Sequence, residues 1–165
     1  MINYDKIKYF TAEEMASPDD PNTGYMMDWN FMLLLDKARE IAGIPFKITS
    51  AYRSYEHNLK VAGGRVGSSH CKGLAVDIAA TNSQERGLIM KALYKAGFTR
   101  IGLDFKRNFI HVDLDDSKAP VSFENTMPPY DLLEESYFTN ALSSFCNEIP
   151  VNCATTILLN PVAFA

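Results

Sequence analysis

The sequence lacks what a nucleic-acid or membrane protein would show. Lys and Arg number 16 against 20 Asp and Glu, a net charge of −4 with a pI near 5.3. Basic residues form no run of motif length, and nucleic-acid binders usually carry a basic face. No stretch approaches the ~20 apolar residues that a membrane span needs. The start, MINYDKIKYF, has no apolar core of a secretory leader, so the expectation is synthesis in the cytoplasm without a signal peptide. Cysteine is scarce: Cys71, Cys146 and Cys153 cannot all pair and form no C-x-x-C zinc pattern. They read as reduced thiols, with a Cys146–Cys153 bridge open to the chain in an oxidising compartment. Internal repeats and low-complexity segments are absent. Histidine is equally scarce, with only His57, His70 and His111.

What is present suits one soluble domain. The 165 residues, 47% hydrophobic and 22% charged, are enough for one substantial core and too few for two comfortable domains. Thr11-Ala12-Glu13-Glu14 has capping-box form and opens a short helix. From about Met27 to Ala42, Phe31, Leu34, Leu35, Ala38 and Ile41 recur at helical spacing before a stop at Gly43. Residues 45–50 read as a strand, Ser54 as the cap of a helix running to Gly63-Gly64, and 74–80 as a second strand. Ser83 is the expected cap of a helix ending at Gly97, with Leu88, Ile89, Ala92, Leu93 and Ala96 inward. Strands follow over 98–103 and 109–114. This order predicts an α+β fold with a small, mostly antiparallel sheet flanked by helices, occupying residues 1–116. Residues 117–165 read as an extension packing on it, loop-like at first and with a helix over 131–147.

Two of the strands carry an unexpected chemistry. Alternation along 74–80 puts Leu74, Val76 and Ile78 on one face and Ala75, Asp77 and Ala79 on the other. Along 109–115, Ile110, Val112 and Leu114 oppose Phe109, His111, Asp113 and Asp115. Each strand thus offers an apolar face to a core and a second face bearing His or Asp. A lone histidine on a strand is more often structural than functional. An aspartate amid an apolar strand is costly unless a partner or metal compensates it. His70, Asp77 and His111 make a two-histidine, one-carboxylate set of the kind that holds catalytic zinc with one position open. The same set suits non-haem Fe(II), but an iron site opening on His111-Val112-Asp113 needs a later histidine, and none follows.

The series Ser50-Ala51-Tyr52-Arg53-Ser54, Glu56-His57-Asn58, Ser69-His70 with Gly73 and Asp77, and Phe109-Ile110-His111-Val112-Asp113 resembles the zinc D-alanyl-D-alanine carboxypeptidases. These group with the VanX dipeptidases, phage L-alanyl-D-glutamate endolysins and the hedgehog signalling domain. The match covers roughly residues 5–116 and looks closest to the short single-domain form of phages and bacteria. The resemblance implies a zinc peptidase acting on peptidoglycan stem peptides, by D-Ala-D-Ala carboxypeptidase or L-Ala-D-Glu endopeptidase action. It implies Zn2+ on His70, Asp77 and His111, a substrate-steadying Arg53, and a substrate-binding Ser68. VanX-like enzymes carry a general-base acid three residues before the last histidine; here that position is Asn108. Asp113 is the substitute expected to shuttle the proton, or else a residue that orients His111, and Asp104 is the reserve. The alternative function is a catalytically inert zinc-bearing domain serving as a virion or interaction module. A wall-cutting enzyme without a leader would be a phage-type lysin, reaching the cell wall after release or on a phage particle.

Overall fold

The computed structural model describes residues 2–61, 64–118 and 122–124. The expected helix over 131–147, Cys146, Cys153 and most of the 117–165 extension lie outside the described residues.

Four α-helices are described: α1 (Ala12–Met15), α2 (Trp29–Ala42), α3 (Tyr55–Lys60) and α4 (Ser83–Ala96). The strands are β1 (Ile48–Ser50), β2 (Ala75–Ala79), β3 (Arg100–Asp104), β4 (Phe109–Asp113) and β5 (Ser122–Glu124). They form one sheet in the order β1-β2-β4-β3-β5. All neighbouring pairs are antiparallel except β3 with β5, which is parallel. The architecture is therefore α+β, as the strand and helix pattern predicts. β5 falls in a stretch that reads as loop in the sequence. It satisfies the open edge of β3, which would otherwise expose unpaired backbone groups.

Helix ends follow side-chain chemistry. Thr11 and Glu14 exchange both bonds of a capping box at α1. Asp28 caps α2 and Ser54 caps α3. At α4 the cap is Asn82, whose side chain accepts from the Glu85 N–H, rather than Ser83, which is the first helical residue. Either residue type can cap, and the helix starts one turn position earlier than the serine suggests. α3 stops at Lys60, short of the glycine pair. β1 occupies only 48–50 of the 45–50 stretch, although the Lys47 carbonyl still accepts from the Ala79 N–H at 2.8 Å.

The core lies on the sheet face opposite the polar one. Phe31, Met32, Leu35 and Ala38 of α2 join Ile89, Leu93 and Ala96 of α4 over Val76, Ile78, Ile110, Val112 and Ile101. Phe31 and Phe98 meet edge-on, ring centroids 5.5 Å apart. Burying each large side chain is worth roughly 1.5–3 kcal/mol, so this layer holds the sheet that carries the site. Ile41 and Leu88 lie outside it at 40% and 37% exposure. They sit at the edges of their helical stripes, where period alone cannot separate core from rim.

Candidate metal centre

β2 is the backbone of the site. It pairs with β1 on one side and β4 on the other, so Asp77 lies opposite Ser50 and opposite His111. Ala75 and Ala79 flank Asp77 on its own face and leave room above the sheet. His70 reaches the same place from a single 3-10 turn, Ser69–Lys72. That turn ends at Gly73, where φ is +70° and a Cβ would lie 2.2 Å from the Met26 carbonyl oxygen. Only glycine fits there, and it lets the chain turn sharply from His70 into β2.

Each histidine spends one nitrogen on a protein acceptor. His70 Nδ1 is 2.7 Å from the Ala51 carbonyl oxygen. A carbonyl only accepts, so Nδ1 carries the proton and Nε2 presents a lone pair. That Nε2 lies 3.4 Å from Asp77 Oδ1. His111 uses the opposite atoms: Nε2 is 2.9 Å from Asp113 Oδ2, and Nδ1 is 2.8 Å from the same Asp77 Oδ1. The rings stand 5.1 Å apart. One donor atom from each of His70, Asp77 and His111 fits within a 4.8 Å span. Two ring nitrogens fixed from behind and one carboxylate oxygen between them fit a divalent, nitrogen-tolerant metal such as zinc.

Electrostatics keep the triad charged. Burial works against ionisation of Asp77, but the hydrogen bond from His111 and the closeness of the His70 ring outweigh it and hold its carboxyl well below the usual carboxylate range. Burial likewise opposes a charged His111. The hydrogen bonds to Asp113 and Asp77 prevail and raise its pKa above 6.5. Both ring nitrogens of His111 face carboxylate oxygens, which favours the protonated ring more than in an ordinary imidazole.

The structure gathers Arg53, Ser68, His70, Asp77, His111 and Asp113 around one cleft of about 480 Å³. Arg53 donates from Nη2 to Asp77 Oδ2 at 2.8 Å and from Nε to Ser50 Oγ at 2.7 Å. This bond occupies the outer oxygen of Asp77 and leaves Oδ1 to the histidines. Asp113 is fully engaged. Its Oδ2 meets His111 and Arg100 Nε (2.9 Å), and its Oδ1 accepts from the Asp115 N–H. Ser68 Oγ makes no hydrogen bond among the described residues and lines the cleft. Asp104 is buried and paired with Arg107 at 2.6 Å, away from the cleft lining.

Asn108 is not at the cleft either. It sits in the β3–β4 turn with φ +56°, the left-handed region that asparagine tolerates best after glycine. Its Oδ1 accepts from Arg86 of α4 at 2.8 Å.

Three supporting residues are not singled out by the sequence reading. Arg100 faces Asp113 across the hairpin, a pairing that follows from counting back from the four-residue turn. Asp115 is buried and accepts from Ser69 Oγ, Lys72 Nζ and Ser117 Oγ, tying the His70 turn to the end of β4. Asn58, fully buried, donates to the Arg65 carbonyl. Polar residues that act through other protein groups leave no periodic trace.

A family model described as Peptidase M15 matches residues 8–113. No curated protein matches the chain.

Proposed function

The chain belongs to the peptidase M15 family, and from that premise we propose that it is a zinc-dependent peptidase cutting the stem peptides of peptidoglycan. The observation that carries this reading is the pair of histidines. Each is locked from behind by a protein acceptor, and each turns its other nitrogen towards Asp77 Oδ1. A structural histidine has no need of a second one aimed at the same oxygen.

Zinc on His70 Nε2, Asp77 Oδ1 and His111 Nδ1 would supply a Lewis acid that polarises the scissile carbonyl and activates water. The protein's own groups do the rest. Arg53 fixes Asp77 through Nη2, while its Nη1, without a hydrogen bond among the described residues, serves a substrate oxygen. Ser68 Oγ offers a hydrogen bond from the opposite wall.

Asp113 acts through His111. With both oxygens occupied, it fits an orienting role better than proton transfer to water. Proton acceptance then passes to His57. It lines the part of the cleft nearest β1 together with Asp77 and Arg53, and its ring makes no hydrogen bond among the described residues. Imidazole is the commonest proton carrier in such sites.

The direct test is incubation of the zinc-loaded protein with defined muropeptides, with and without chelator, products identified by mass. Cleavage that survives complete metal removal refutes the reading. Zinc bound at one equivalent without cleavage of any muropeptide leaves the inert-domain alternative. No helix among the described residues is long and apolar enough to cross a membrane. The site of action that this reading proposes is the cell wall.

A further inference from the structure

The fold leaves one buried side chain incomplete. Asn58, on α3, is 0% exposed. Its Nδ2 donates to the Arg65 carbonyl oxygen at 2.9 Å, but its Oδ1 has no hydrogen-bond partner. Among the described residues no other buried side-chain nitrogen or oxygen is in that condition. A buried acceptor without a bond works against folding, and such groups are rare. Leucine, with the same branching and the same number of heavy atoms, would leave nothing unpaired. Stability therefore does not account for the amide. The account lies in what its other half holds.

The Arg65 carbonyl oxygen is a junction. It accepts from Asn58 Nδ2 and from the Ser68 N–H at 3.2 Å, which uses both of its lone pairs. Residues 65–68 thus close a four-residue turn. Gly67, third in that turn, has φ +76°, the left-handed value that glycine supplies at this position. The Cys71 N–H then bonds the Ser68 carbonyl oxygen at 3.1 Å, which joins the turn to the one that carries His70. Close approach fixes the other end. A Cβ on Gly64 would stand 1.7 Å from the Asn58 carbonyl oxygen, so only glycine lets the chain cross α3 there. Beyond this crossing, Arg65, Val66, Gly67 and Ser68 form one wall of the cleft. With Val66 78% exposed, apolar packing does little to hold that wall. The Asn58 amide holds it from beneath.

We propose that Asn58 is a positioning residue for the cleft: acting through the Arg65 carbonyl, its amide fixes the wall of residues 65–68, and with it the place of the Ser68 hydroxyl, at a cost in stability. This rests on the peptidase reading only in taking a substrate as what Ser68 meets.

The experiment compares the full wild-type chain with Asn58→Leu and Gly64→Ala. Leucine removes the donor and the unpaired oxygen together. Alanine at 64 pushes the crossing away from α3 and leaves the amide in place. Trypsin cuts after arginine, and at Arg65 the carbonyl it would attack is the one that Asn58 holds. Nicking after Arg65, located by mass, should be about fivefold faster in both variants, as expected for one lost hydrogen bond at an exposed segment. In Asn58→Leu the thermal midpoint should hold or rise, and zinc affinity should stay within about twofold. KM for a muropeptide should rise about fivefold with kcat little changed, since only the alignment of a neutral contact is lost. A midpoint that falls together with kcat and zinc affinity makes Asn58 an ordinary part of the core and overturns the proposal. Unchanged nicking in both variants overturns it too, as does faster nicking with an unmoved KM. Wild-type protein that binds zinc yet cuts no muropeptide counts against the peptidase reading instead. Nicking and midpoint then still decide whether the amide holds the wall against stability.

Discussion

His111 Nε2 and Asp113 Oδ2 lie 2.9 Å apart, two residues from one another on a single strand face. This contact decides which nitrogen of His111 turns towards Asp77 and a metal beside it. Asp113 in turn is held by Arg100 and by the Asp115 N–H, so the ring's orientation rests on the β3–β4 hairpin. Asp113→Asn should keep the shape but lose the charge that holds the Nε2 proton. The expected outcome is a loss of zinc affinity of about 10- to 100-fold with an unchanged circular dichroism spectrum, measured by competition against a chromophoric chelator.

Zinc uptake should release protons. Burial opposes a proton on His111, but the bonds to Asp113 and Asp77 favour it, and a metal on Nδ1 would take the place of that proton. Titration calorimetry in buffers of different ionisation enthalpy should show this release. Below the raised pKa of His111, affinity should fall about tenfold per pH unit. Affinity independent of pH between 5 and 7 would contradict the assignment.

The same shifts set the stability of the protein without metal. His111 has a folded pKa above its ordinary 6.5, so its contribution is full below 6.5 and is lost as pH rises through the raised value. Asp77 is depressed below 3.8, so its contribution is present above 3.8 and is lost as pH falls. Metal-free protein should therefore melt highest between these limits. Zinc should move the optimum upward in pH, which thermal melts with and without chelator would reveal.

Asp115→Asn tests the tether behind the His70 turn. The carboxylate is 1% exposed on its side chain and pairs with Lys72 at 2.9 Å. Asparagine cannot balance the lysines, and breaking such a cluster from one side costs about 3 kcal/mol. Wild-type stability should also fall with acid from its ordinary 3.8 downward. Burial raises this carboxyl's pKa, but the bonds from Ser117, Lys72, Ser69 and Lys118 lower it further. The variant should lose that acid dependence, as read by denaturant melts at pH 3 and 6.

His57→Gln addresses proton transfer separately from metal binding. We expect kcat to fall about 100-fold with zinc affinity unchanged, because His57 makes no contact with the triad that would orient it. A variant of full activity would return the proton-accepting role to another group lining the cleft.

Much of the site can be read from the sequence, and for a definite reason. Strand alternation is a strict period of two, so the shared face of Asp77 with Ala75 and Ala79, and of His111 with Asp113, follows from spacing alone. The capping box at Thr11 and Glu14 is legible because both partners are local. What spacing cannot reach is the choice of ring nitrogen. That choice depends on the Ala51 carbonyl for His70 and on a hairpin neighbour for His111. Asn108 shows the opposite failure. By position it reads as a missing acid, whereas the backbone uses it as a left-handed turn residue bound to Arg86.

The Ala51 carbonyl and the Asp113 carboxylate each fix one imidazole from behind. The strands that carry Asp77 and His111 are already paired across β2 and β4. The orientation of both rings is therefore set by the same contacts that build the fold, and a change that loosens the hairpin or the His70 turn would reach the site without touching it.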